Sequence, residues 1–201
     1  MRCCISLFLP FFVLPLASFS GTKQLDDRPP TASYTKREPT KIRLSDFDEN
    51  PFNYDVSADL LLSKLSKKFK IFKEAVKNTH NPQIKDTIFH FSYQTTKLKI
   101  YKSQGNEILF FAQITDNEIE MRNQIKIGMS REAFFDKFVE LEKYRFFQGV
   151  TQIGGDDDMS GYQLIIQPNV VKLRNLLGTS DYIFVFANNM LSQVSINVYI
   201  D

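Results

Sequence analysis

The chain has 201 residues with 25 basic and 23 acidic side chains, a formal net charge of +2, and so lacks the basic excess that marks a nucleic-acid-binding protein. Its two cysteines, Cys3 and Cys4, stand at the extreme N-terminus, which leaves the rest of the chain without disulfides, thiolate nucleophiles or Cys-ligated metals. Nineteen Phe and eight Tyr against no Trp predict a core filled mainly by Phe, and the missing Trp counts against sugar stacking.

Residues 1–20 read as a signal peptide. Arg2 supplies a minimal positive start, Ile5 to Leu16 is almost wholly apolar, and Ala17-Ser18-Phe19-Ser20 follows with small residues. The apolar run carries Pro10 and Pro15 and falls short of the ~20 residues a spanning helix needs. Cleavage after Ser20 is expected, with no integral membrane segment remaining. The cysteines precede the apolar run, and Ser20-Gly21 stands where a lipidated Cys would be required, so a lipid anchor is not expected. The expected location is secreted or periplasmic. No Asn-x-Ser/Thr acceptor occurs, which favours a bacterial envelope or secreted protein over a eukaryotic glycoprotein.

Residues 21–51 are polar and punctuated by Pro29, Pro30 and Pro39, and are read as a flexible linker, with an ordered arm as the alternative. The folded part is expected over 52–201. Leu62, Leu65, Phe69, Phe72 and Val76 keep helical spacing, and Asp55 or Ser57 can cap that helix. The alternative is a helix that stops near Lys68, with Phe69 to Val76 forming a strand. The lysines at 64, 67, 68, 70, 73 and 77 read as a solvated face rather than a membrane-binding one.

Short segments with strand alternation follow. Phe89, Phe91 and Tyr93 share one face, as do Leu98 and Ile100, and Ser103 to Asn106 is a turn. Ile108 to Ile114 is apolar on both faces, as in a central strand; Asp116-Asn117 turns, and Ile119 with Met121 continues. The short connections argue for an antiparallel meander. A second helix opens within Gln124 to Lys143, with Ser130 as N-cap, Glu132 complementing its start, and a stripe of Phe134, Phe138 and Leu141 beside Phe135 and Val139. Tyr162, Leu164 and Ile166 alternate, as do Tyr182, Phe184 and Phe186. Asn188-Asn189 is a hairpin turn, and Val194, Ile196, Val198 and Ile200 line a final strand. The expected fold class is α+β, antiparallel meander sheets with packed helices. The stretch from Val56 to Leu65 also aligns with that from Met129 to Phe138, and Ile108 to Ala112 with Tyr182 to Phe186. Two tandem helix–meander repeats, 52–123 and 124–201, would explain both matches, and so would chance, since any capped amphipathic helix needs these residue types.

The run Ile125-Lys126-Ile127-Gly128-Met129-Ser130-Arg131-Glu132-Ala133-Phe134-Phe135 resembles the opening of small envelope domains of the BamE/SmpA type and of the beta-lactamase inhibitor protein family. In those families a Gly-Met-Ser/Thr turn starts a helix on a small antiparallel sheet, and the inhibitors are tandems of two such units. This chain departs from them in lacking a lipidated Cys and the Gly and Pro expected near Leu141 to Gln148. The chain as a whole also resembles secreted proteins of Bacteroidetes-type bacteria, a likeness that carries no activity. The resemblance implies non-enzymatic protein binding in the envelope.

Several groups could carry chemistry. Asp156-Asp157-Asp158, flanked by Gly, could offer oxygens to Ca²⁺, but adjacent Asp side chains diverge and lack an EF-hand's alternate spacing. His80, Asp86 and His90 could imitate a metal or acid–base set, yet no nucleophile motif, His-Glu-x-x-His or phosphate loop accompanies them. Glu74, Glu140 and Glu142 have the helical context of solvated residues. No catalytic, cofactor-binding or metal residue is therefore assigned. The expected function is that of a secreted or periplasmic protein-binding module without enzymatic activity or cofactor, its partner a protein rather than nucleic acid. The alternatives are a secreted hydrolase or metal-dependent enzyme centred on His80, Asp86, His90 or the Asp loop, and a carrier holding a small apolar ligand in a Phe-lined cavity.

Overall fold

The computed structural model describes residues 41–52, 58, 68–78, 80–104, 106–154 and 161–199, all within one compact unit, Glu38–Asp201. Among the described residues nine strands make a single antiparallel sheet: β1 (Lys70–Lys77), β2 (Lys85–Tyr93), β3 (Thr96–Ser103), β4 (Asn106–Ile114), β5 (Gly149–Ile153), β6 (Tyr162–Gln167), β7 (Val170–Asn175), β8 (Ser180–Ala187) and β9 (Met190–Val198). Their order is β1-β2-β3-β4-β9-β8-β7-β6-β5. Two meanders, one running up the chain and one down, thus meet where β4 pairs with β9. The last hairpin of each carries a register shift, at Lys99/Ile100 between β3 and β4 and at Val185/Phe186 between β8 and β9. Such bulges sharpen the local twist and curl the sheet.

This corrects the expected fold class. The protein is mainly β, not α+β with packed helices. Among the described residues the α-helices with defined bounds are α1 (Leu44–Glu49) and α2 (Arg131–Asp136), six residues each. The start of α2 is as expected: Ser130 Oγ accepts from the Ala133 N–H at 3.2 Å, and Glu132 lies in the first turn. Its length is not, because tertiary contacts take the backbone groups that would continue it. The Lys137 carbonyl accepts from the Ile42 N–H at 2.9 Å and from Asn123 Nδ2 at 3.1 Å, while the Val139 N–H donates to the Ile42 carbonyl at 2.9 Å. The stripe is core nonetheless, since Phe134, Phe135, Phe138 and Leu141 are fully buried.

On the first expected helix, Phe69 to Val76 follows the alternative reading: Phe69 is buried and β1 begins at Lys70. Ala58 is helical and buried, whereas Ser57, Leu62 and Leu65 lie outside the described residues, and with them the comparison of Ser57 with Ser130. Asp116-Asn117 does not turn a hairpin. The chain leaves the sheet there, and Met121 makes only isolated bridges, to Phe52 and Ile125. The sequence alignment faces β4 with β8, but by position in the sheet β4 corresponds to β9. The folded part also reaches back to Lys41, inside the expected 21–51 linker, since Ile42, Leu44 and Phe47 join the core; residues 21–40 lie outside the described residues.

The core lies on one face of the sheet. Reading the registers across gives an unbroken row of side chains, Ile71–Phe91–Leu98–Ala112–Ile196–Tyr182–Leu173–Leu164–Thr151, one from every strand. Opposite residues of paired strands point to the same face, so the row is the backbone of the apolar layer. Over it sit α1 and α2. Phe134 lies 4.5 Å from Phe184 and 5.4 Å from Phe138, and Phe47 packs edge-on against Phe138 and Tyr182. The Asn188-Asn189 turn, both residues at positive φ as a two-residue hairpin demands, also positions α2: the Asn189 carbonyl accepts from the Arg131 N–H at 2.8 Å. The Leu191 carbonyl accepts from the Gly128 N–H at 2.7 Å.

Candidate binding surface

The next row of side chains, one residue along each strand, points to the opposite face: Phe72–His90–Lys99–Phe111–Asn197–Asp181–Arg174–Gln163–Gln152. A neighbouring row adds Lys97, Gln113, Ser195, Ile183, Lys172, Ile165 and Val150. Most of these are half-buried, as side chains standing side by side on a pleated sheet are, while Phe72 and Val150 are exposed. The face is mixed in character. Aromatic and aliphatic groups alternate with amides and cations, and Lys99 sits 5.5 Å from the Phe111 ring. Interface cores are enriched in such aromatics and poor in unpaired charge.

Charge at one end of this face is paired in place, while Lys97 and Lys99 have no ion pair among the described residues. Asp181 is 4% exposed and accepts from Arg174 Nε at 2.8 Å and Tyr199 OH at 3.2 Å, with Lys172 Nζ at 3.0 Å. Burial alone would raise its carboxyl, but the bonds from Arg174 and Lys172 outweigh that and hold it below the usual carboxylate range. At the other end of the face, Asp86 is buried and accepts from Tyr101 OH and, at 2.8 Å, from Asn78 Nδ2. The Tyr101 bond is the main cause of its lowered carboxyl pKa, and Asp86 Oδ1 has no partner among the described residues.

These positions locate the residues weighed for chemistry. His90 and Asp86 share the face but not a partner: His90 Nε2 meets Glu74 at 2.9 Å, whereas Asp86 is held by Tyr101 and Asn78. His80 stands in the β1–β2 loop, where its backbone N–H donates to Asn78 Oδ1 at 2.9 Å. Asn78 therefore links the His80 loop to Asp86 through its side chain, without engaging the His80 ring. Asp156 to Asp158 lie outside the described residues. Glu140 caps α1 by accepting from the Leu44 N–H at 3.1 Å, and Glu142 pairs with Lys41. Both tie the N-terminal segment to the loop after α2. No cluster of three potential metal-ligating side chains occurs among the described residues, and no helix among them is long and apolar enough to cross a membrane.

Two polar arrangements on the core side were not read from the sequence. Asp48, on α1, accepts from Tyr182 OH and Ser180 Oγ on Oδ1, each at 2.7 Å, and from Asn175 Nδ2 at 2.8 Å and Tyr162 OH at 2.9 Å on Oδ2. Burial first, and then the nearby Asp48 charge, push both tyrosine hydroxyls to higher pKa. The second is a clamp at the end of β4, where Lys68 Nζ lies 2.8 Å from Asp116 and 2.9 Å from Glu118, beneath the Tyr93 ring at 4.5 Å. Clefts of about 420 and 400 Å³ open beside these two groups. The first is lined by Asp48, Glu49 and Glu107 together with Leu109 and Ile196, so carboxylates rather than Phe rings face it. The Asp48 donors come from three strands brought together only by the sheet, which is why no local motif announced them. The open face had one signal, the apolar residues on both sides of Ile108 to Ile114.

No protein family, characterised protein or solved structure matched the chain on comparison.

Proposed function

We propose that the protein is a secreted or periplasmic, non-enzymatic module that binds a protein partner on the sheet face carrying Lys99, Tyr101, Phe111 and Ile183. One observation carries the reading: a broad pleated surface, opposite the core, presents half-buried aromatic and aliphatic groups beside the ion-paired cluster of Asp181, Lys172 and Arg174 and the cations Lys97 and Lys99. A surface of that kind gains apolar burial on docking, which is where binding energy concentrates. The tethered His90 and Asp86 add no nucleophile or base–nucleophile pair to compete with this reading. The likeness of the Gly128-Met129-Ser130 helix start to envelope domains points the same way, and the signal-like order of residues 1–20 supports export.

A photo-crosslinking residue placed at Phe111 in the native host tests the proposal, with Val139, an exposed residue in the loop after α2, as the control position. The expected result is a discrete protein adduct at 111 and none at 139. Equal adducts from both positions, or none from either, would refute it. N-terminal sequencing of the exported chain checks the address, for which a start near Gly21 is expected.

A further inference from the structure

The two edges of the sheet differ. β5 is five residues long and begins at Gly149, a short edge of the kind that discourages pairing. β1 is eight residues long, lies at the other end of the strand order, and is exposed along nearly its whole length. Phe72 stands out of it, 63% exposed. Lysines on an edge usually serve to keep other strands away. Here their placement has a second property, which appears when the strand is set against itself.

A two-fold axis normal to the sheet would join two β1 strands antiparallel with both faces continuous, and each such register has one residue opposite its own copy. Centring on Lys73 or Glu74 opposes like charges at the axis, and centring on Ala75 sets Lys73 against Lys77. Centring on Ile71 sets Glu74 against Lys68, whose ammonium is already held by Asp116 and Glu118. Centring on Phe72 sets Phe72 against Phe72, with Lys70 opposite Glu74 on both sides of it. Lys70 has no ion pair among the described residues, and the one contact of this kind that Glu74 makes is with the His90 ring on the same face. In this register Lys73 falls opposite Ile71, and its ammonium lies 5.1 Å from the Phe89 ring of its own sheet. Unlike charges and an aromatic pair directly across an antiparallel junction are the combinations that stabilise it.

We infer that two copies of this chain associate edge to edge through β1, antiparallel and centred on Phe72, making one continuous sheet from two. The interface is isologous, so it closes at the dimer and leaves the short β5 edges outermost.

Sedimentation velocity of the full chain over a concentration series tests this. The expected result is a monomer–dimer equilibrium. Lys70→Glu, at an exposed position, puts like charges opposite each other twice and should weaken the dimer by about tenfold or more. Glu74→Lys should do the same. An equimolar mixture of the two single variants should recover association as a heterodimer. The acid introduced at position 70 of one copy then meets the base introduced at position 74 of the other, and the unchanged Glu74 of the first meets the unchanged Lys70 of the second. Far-UV circular dichroism identical to the parent keeps folding out of the comparison. A chain that is monomeric up to about 1 mM would overturn the inference. So would a dimer indifferent to both reversals, or a mixture that associates no better than its components. Binding of a different protein that is lost on Lys70→Glu, with the pure chain monomeric throughout, would also overturn it.

Discussion

Replacing Asp48 with Ala should be among the most damaging single substitutions in the protein. Its carboxylate accepts from four side-chain donors, Tyr162, Asn175, Ser180 and Tyr182, at 2.7 to 2.9 Å. All four donor residues are buried, Tyr182 at 2% exposure. A hydrogen bond to a charged group contributes about 1.5–3 kcal/mol, and a buried donor left unpaired costs about 1–3 kcal/mol. The four cannot simply be added, because hydroxyls rotate and water enters the space left by the side chain. A loss of about 3–5 kcal/mol is expected, the scale of breaking a hydrogen-bond network at its shared acceptor. That is about a fifth or more of a typical domain's total stability. Asp48→Asn keeps the shape but turns one oxygen into a donor facing two donors, and should lose about half as much. Urea unfolding followed by circular dichroism measures both. A double-mutant cycle with Tyr182→Phe should show coupling above about 0.5 kcal/mol, as contacting residues do. An Asp48→Ala loss below about 1 kcal/mol, the scale of one exposed cap, would refute the argument that this carboxylate pins α1 to β6, β7 and β8.

Three further outcomes are expected. Ser130→Ala should cost about 1 kcal/mol and Phe134→Ala about 3–5 kcal/mol, because the first removes one cap bond and the second empties a fully buried ring site; urea melts with equal losses would contradict this. In an absorbance titration, Tyr162 and Tyr182 should ionise above the ordinary tyrosine range. Their folded pKa values are raised, so the stability they contribute is intact below about pH 10, the unfolded value, and lost as pH climbs through the higher folded values. Asp181 works in the opposite direction. Its folded pKa is depressed, so its contribution is present above about pH 4 and lost as pH falls through the lower folded value, and Asp181→Asn should flatten the acid limb of the stability–pH curve.

Local chemistry was legible along the chain. Period-two alternation located the strands at Phe89, Leu98, Tyr162, Tyr182 and Val194, because a half-covered strand must separate its two faces residue by residue. Asn188-Asn189 marked a hairpin because both residues take up positive φ at little cost. Ser130 marked a helix start because its hydroxyl replaces a missing backbone acceptor. How far a helix runs was not legible. The stripe from Phe134 to Leu141 has helical spacing, but Ile42, nearly a hundred residues earlier, claims the carbonyl of Lys137. The same holds for Phe69 to Val76, where Phe69, Phe72 and Val76 keep helical spacing while Phe69, Ile71 and Phe72 together fit neither period well, and the chain from Lys70 on joins β2 as a strand. β7 escaped notice because Val170-Val171 interrupts its alternation. The union of two meanders through β4 and β9, and with it the open face, the Asp48 cage and the β1 edge, depended on pairings between distant residues. Spacing along a chain records what one element needs from its surroundings; which distant element supplies it is settled only when the chain closes on itself.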